Sequence, residues 1–227
     1  MNASVPEFLH WCCCARSERG APTFVLVLLC ALGTGLAGCL PTSANLPSQQ
    51  YYVLDDLAKA GTAQQTAPAG RVLLVHPMAM SPFYDTQSLV YSREAGQRAY
   101  YQFAGWTERP GRRLTELLVR RLEARRGFAS VAMTTAGVKG DLILNTRLED
   151  FYQDAGARPG GVRVEVTAEI VDQAERAVVA RRRFSQSASA SGDAAPAAVA
   201  AFNQAVTALL DEVSAWVEGA MARPEGR

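Results

Sequence analysis

Apolar and polar positions alternate along this chain with two different periods, and the switches between them mark out its elements. Tyr51-Tyr-Val-Leu54 is a short strand candidate, and the loop from Lys59 to Gly70, built of Ala, Gly, Thr, Gln and Pro, is expected to be mobile. Arg71-Val-Leu-Leu-Val-His-Pro77 is a nearly continuous apolar run of strand length, which predicts a strand covered on both faces. Ser88–Arg93 and Arg98–Phe103, rich in β-formers and separated by Glu94-Ala-Gly-Gln97, predict a hairpin. From Gly111 the period becomes helical. Leu114, Leu117, Leu118 and Leu122 form one stripe with charged residues between them, and Gly127 is read as the helix stop.

Three period-two strands follow, over Asp141–Tyr152, Val162–Val171 and Ala177 to about Ser187. The first turns Leu142, Leu144, Thr146 and Leu148 to one face, and the last two are expected to pair as an antiparallel hairpin across Asp172–Arg176. The final element is a long helix. Its stripe is Val199, Phe202, Val206, Leu209, Leu210, Val213, Trp216 and Val217, with Asn203, Thr207, Asp211, Ser214 and Glu218 elsewhere. Together these predict an α+β fold: a single domain over 51–220, with a mostly antiparallel sheet and two amphipathic helices packed on one face. Residues 221–227 are expected to be a disordered tail.

The first 50 residues obey another logic. Arg16 and Arg19 precede an uncharged apolar run from Phe24 to Leu32, after which small residues lead to Leu36-Ala37-Gly38-Cys39. Positive end, short apolar centre and small residues at the cut are the layout of an export signal, and the run falls short of the ~20 residues that span a membrane. Leu-Ala-Gly-Cys resembles the bacterial lipobox, which implies cleavage after residue 38 and lipid on the Cys39 thiol. Residues 39–50 are uncharged and polar, with two prolines, and read as a flexible tether.

Composition narrows the function. All five cysteines lie at or before position 39, so a chain cut there keeps one sulfur and forms no internal disulfide. The formal net charge is +1, which gives no electrostatic case for nucleic acid. After Cys39 there is one histidine, His76, and no further cysteine, so neither a His/Cys metal cluster nor a Ser/His or Cys/His pair can be assembled. Nucleophile elbows, phosphate-binding glycine loops and dinucleotide fingerprints are missing from the sequence. No enzyme, catalytic residue, metal or cofactor is indicated. Arginines at 112/113, 120/121, 125/126 and 181–183 read as solvated charge rather than a phosphate site.

The order Pro77, Pro82-Phe-Tyr84, Leu89-Val-Tyr91 with Arg93, Tyr100-Tyr101, Trp106-Thr-Glu-Arg-Pro110 and the leucine helix is the most specific signal in the mature chain. With the lipobox and the Tyr52–Leu54 strand it resembles the auxiliary lipoprotein component of ABC-type transport systems, the family that includes the PqiC lipoproteins, over about Tyr51 to Val217. Thr107 and Arg109 depart from the acidic and apolar character usual just after the tryptophan. The resemblance implies a non-enzymatic α+β domain working beside an MCE-domain substrate-binding protein and an ABC permease and ATPase that move lipids or other hydrophobic molecules. Leu40 in place of Asp after the cysteine implies sorting to the outer membrane, with the domain facing the periplasm. Seven aromatics between Phe83 and Trp106 serve either core or interface. Tyr84, Tyr91, Arg93, Tyr101 and Trp106 are taken as the candidate partner-binding residues, with Trp106 also expected to pack on the Leu114 helix. A homo-oligomer is compatible with the pattern. Competing readings are a structural or assembly lipoprotein of another envelope machine and a lipid-anchored hydrolase.

Overall fold

The computed structural model describes residues 47–58, 69–157 and 160–222. The leader, Cys39, most of the tether, most of the 59–70 loop and the 223–227 tail lie outside them. In chain order the described elements are β1 (Gln50–Tyr52), β2 (Ala69–Val75), β3 (Ala79–Met80), β4 (Ser88–Ser92), β5 (Ala99–Trp106), α1 (Pro110–Arg125), β6 (Phe128–Met133), β7 (Leu142–Asp154), β8 (Gly161–Asp172), β9 (Ala177–Ser189) and α2 (Ala195–Ala222).

β7 is the spine of a nine-stranded sheet. Along one edge it pairs antiparallel with β8 for its whole length, and β8 pairs antiparallel with β9. Its other edge is shared in succession. Leu142–Leu144 pair with β2, Arg147 and Leu148 with β3, and Gln153 and Asp154 with β4, all parallel. The sheet therefore forks: one wing is β2 with β6, the other is β4 with β5 and β1, and two-residue β3 lies between them. The long ladders are antiparallel, as the alternating patterns predict, and the short ones at the fork are parallel.

A bulge at Glu149 shifts the phase of β7. Up to it the buried positions are Leu142, Leu144, Thr146 and Leu148; beyond it they are Phe151 and Gln153. The sequence alternation alone gives the first set. Both helices lie on the same face as these residues. α1 buries Leu114, Leu117, Leu118 and Leu122, each worth roughly 1.5–3 kcal/mol of transfer free energy. α2 buries the predicted stripe against β8 and β9, with Trp216 half-buried and edge-on to Phe184 at 5.4 Å between ring centroids. Ser214, expected off the stripe, is also buried.

Ion pairs join the helices. Arg125 makes a two-pronged bond to Glu218 at 2.9 and 2.7 Å, and Arg121 is held between Asp56 and Asp211. The segment after β1 is laced over both helices, with the Asp55 and Leu57 amides donating to Asn203 and Thr207 of α2 at 3.0 and 2.8 Å. Gly127 does not stop α1 in the way expected. Arg126 takes the left-handed cap at φ 55°, and Gly127 instead leaves room for Glu218, whose Cγ would lie 2.9 Å from a Cβ there.

Candidate partner-binding site

The hairpin of β4 and β5 brings three of the five candidate residues together. The Tyr91 and Tyr101 rings meet edge-on at 5.1 Å, and the Arg93 guanidinium stands 5.3 Å from the Tyr91 centroid. Tyr91 and Tyr101 are half-buried and Arg93 is exposed. The Tyr101 hydroxyl bonds Gln153 and the Asp193 carbonyl just before α2, the latter at 2.8 Å, so the patch joins the hairpin to the start of that helix. Burial first, and the nearby Asp193 second, push the Tyr101 hydroxyl pKa up, which keeps it a neutral donor. Gln153 is fully buried beneath it, with its Nε2 unpartnered.

The other two candidates belong to the interior. Trp106 is 1% exposed and packs against Phe151 and Phe202 rather than facing outward. Tyr84 is 8% exposed. Its hydroxyl bonds Asp150 at 3.2 Å and lies 3.4 Å from Arg98 Nε, while Arg98 covers the Tyr152 ring at 3.5 Å. A sequence places both tyrosine and tryptophan equally well in a core or an interface, so burial had to decide. The reverse error is Phe83 and Tyr100. They stack at 4.8 Å and 18°, are 37% and 44% exposed, and share a bond from the Tyr100 hydroxyl to the Phe83 carbonyl at 3.0 Å. The place of Phe83 in the loop after Pro82, and of Tyr100 at the start of β5 just past the Gly96 turn, was the available signal.

Elsewhere the chemistry is sparse. Among the described residues no group of three or more His, Cys, Asp or Glu side chains could hold a metal ion. His76 is exposed, with Nδ1 3.2 Å from the Thr134 hydroxyl. Several arginines are structural: Arg113 donates to the Leu54 carbonyl at 2.8 Å, and Arg121 and Arg125 tie the helices. No described helix is long and apolar enough to cross a membrane.

A family model described as the ABC-type transport auxiliary lipoprotein component matches residues 52–214. The chain belongs to this family. The matched stretch runs from the end of β1 to Ser214 and takes in the fork, the hairpin, α1 and most of α2. Among solved structures, protein XCC0632 from Xanthomonas campestris is similar at 24% identity over 76% of this chain and 96% of its own, with a TM-score of 0.69. The hypothetical protein CT253 from Chlamydia trachomatis is similar at 10% identity over 68% of this chain and 99% of its own, with a TM-score of 0.50. At these identities the likeness is one of fold. No curated protein matches the sequence. As a member of this family, the chain is an auxiliary lipoprotein component of an ABC-type transport system.

Proposed function

We propose that this protein is a non-enzymatic accessory that docks an MCE-domain substrate-binding protein, fed by an ABC permease and ATPase, at the outer membrane. The transported molecules are lipids or other hydrophobic compounds. Lipid on Cys39 holds the domain on the membrane, facing the periplasm, and the Tyr91–Arg93–Tyr101 patch is the docking surface. The observation that carries this reading is the patch itself. Two half-buried tyrosines with a cation over one ring, one of them held by its hydroxyl to Gln153 of β7 and to the Asp193 carbonyl just before α2, have the composition of a binding hot spot and are pre-ordered before a partner arrives. Phe83 and Tyr100 form a second exposed aromatic pair on the opposite face of the same hairpin wing.

The test is capture of the MCE-domain protein encoded beside this gene by the membrane-anchored lipoprotein, comparing wild type with Tyr91→Ala and Arg93→Glu. Loss of a hot-spot side chain, ~2 kcal/mol, weakens capture about 30-fold while leaving the melting curve in place. Equal capture by all three proteins removes the patch from the interface. A neighbourhood without MCE, permease and ATPase genes favours an assembly lipoprotein of another machine.

A further inference from the structure

We propose that the hollow where the sheet forks, bounded by the β2–β3 segment, the end of β6 and the first turns of α1, is a binding site for one zwitterionic phospholipid-like amphiphile, its chain along that hollow and its head over the Asp85–Arg109 pair. This rests on the reading above, in which the transport system handles hydrophobic molecules. Because β3 is only two residues long, the two wings diverge on either side of it, and α1 arches from the end of β5 to the start of β6. The space left is a cleft of roughly 690 Å³, within the ~300–1,000 Å³ of small-molecule sites.

Its walls suit a hydrocarbon chain. Pro77, Met78 and Met80 come from the β2–β3 segment and Met133 from the end of β6, so three of the chain's five methionines face one hollow. Methionine is unbranched and polarizable, the residue type that moulds itself to flexible apolar guests. A Cβ at Gly111 would overlap Met80 Cε, so the glycine is what lets Met80 lie against α1. The one hydroxyl here is already used: Thr115 donates to the Gly111 carbonyl at 2.7 Å and accepts from the Met78 amide at 3.0 Å.

The rim sets the class of head. Arg109 with Asp85 at 3.2 Å, and Arg112 with Glu116 at 3.3 Å, put two cations and two anions at the mouth. An anionic head would meet two carboxylates and a cationic head two guanidiniums, whereas a phosphate joined to an ammonium can satisfy both signs. Both arginines are exposed, and surface pairs of this kind open at little cost. On the far side of the Asp85–Arg109 pair is a second hollow of roughly 340 Å³, lined by Gln49, Tyr51, Thr86, Gln87 and Ser88 as well as that pair. The two hollows thus share one ion pair. Gln49 lies at the end of the tether and Tyr51 in β1; the ten residues from Cys39 to Gln49 span at most about 35 Å, so the polar hollow stays within that reach of an anchored membrane.

The experiment uses the full mature lipoprotein in phosphatidylethanolamine–phosphatidylglycerol vesicles carrying a chain-diazirine version of one lipid or the other, followed by peptide mapping after illumination. Label on the peptides bearing Met78, Met80 or Met133, at least about threefold stronger from the ethanolamine lipid, is the expected result. Met80→Trp, which fills the cleft, lowers that label about tenfold. Arg109→Glu, at a side chain 61% exposed, also lowers it, with the melting curve checked alongside. Chainless phosphoethanolamine does not compete. Label outside the fork, equal label from both lipids, label indifferent to both variants, or full competition by phosphoethanolamine overturns the proposal. Wild-type protein that captures its MCE-domain partner but takes no label in the fork sinks this inference alone. Label without partner capture upholds the cleft and sinks the docking reading.

Discussion

Trp106 offers the sharpest test of how the aromatic cluster divides between core and surface. At 1% exposure its ring stands 5.8 Å from Phe151 and 5.4 Å from Phe202, which themselves stack at 4.5 Å, so three rings from β5, β7 and α2 form one knot. Its amide donates to the Gln87 carbonyl at 2.6 Å, which survives any substitution but proline. Trp106→Ala removes the ring from a site where sheet and helix are both fixed and cannot collapse into the space, a loss of ~3–5 kcal/mol. Two ring pairs worth ~0.5–1.5 kcal/mol each are part of that figure. At ~2–4 °C per kcal/mol for a domain of this size, the melting temperature falls by about 6–20 °C. Thermal unfolding by circular dichroism gives that number, and partner capture well below the melt gives the second. Capture per folded molecule stays at the wild-type value. A melting temperature unchanged within about 2 °C, together with lost capture, would show that the ring faces a partner and that the burial argument is wrong.

Other outcomes follow from single contacts. Arg126→Gly relieves a left-handed non-glycine cap and stabilises the domain by about 0.5–1 kcal/mol, read as a higher urea midpoint; a lower midpoint refutes it. The Asp172 carboxyl is held below its ordinary range by the backbone N–H of Glu175 and by Arg71, and a group lowered in the folded state gives stability above the unfolded value of ~3.9. That contribution is lost as pH falls below about 4 through the lowered folded value, so Asp172→Asn flattens the acid limb of the stability curve, and identical limbs refute the pairing. Cys39→Ala leaves the melting curve unchanged but moves the protein out of the outer-membrane fraction, since three acyl chains carry on the order of 40 methylenes at ~0.8 kcal/mol each. An unchanged fraction and unchanged processed size refute lipidation.

The parts of the fold that could be read in the sequence are those with a sustained period. β8 buries Val162, Val164, Val166, Ala168 and Ile170 as its alternation requires, and the α2 stripe is buried except at half-buried Trp216. β6 escaped because Phe128–Met133 buries only Phe128 and Val131, a spacing of three rather than the two of a half-buried strand. β3 is too short to have a pattern, and the fork that depends on it could not be foreseen. The β7 bulge hid because Glu149 and Asp150 look like two ordinary solvated charges. In the site, Tyr91, Arg93 and Tyr101 are legible as a group because a hairpin must bring them together. Tyr84 and Trp106 are separated from them only by burial, which local pattern does not encode.

The two surfaces of the sheet also explain where a partner belongs. On the face away from the helices, Arg183 and Arg163 reach Glu165 at 2.5 and 2.7 Å, Arg163 reaches Asp150 at 3.3 Å, and Arg98 reaches Asp150 at 3.6 Å. Glu165 has a side chain only 7% exposed because the two arginines lie over it. A ladder in which each carboxylate is already shared by two cations has little to gain from a new partner and would lose its own pairs to admit one. β9, an edge strand, carries Arg181, Arg182 and Arg183, the kind of charge that keeps an exposed edge from pairing with another chain. The hairpin wing differs on both counts. It exposes the stacked Phe83 and Tyr100, together with Phe103 at 37%, and it holds Arg93 over a ring with no carboxylate bonded to it among the described residues. Apolar area and an unshared cation are what association can still stabilise, which supports the proposed docking surface on the β4–β5 wing over the longer ladder of β7, β8 and β9.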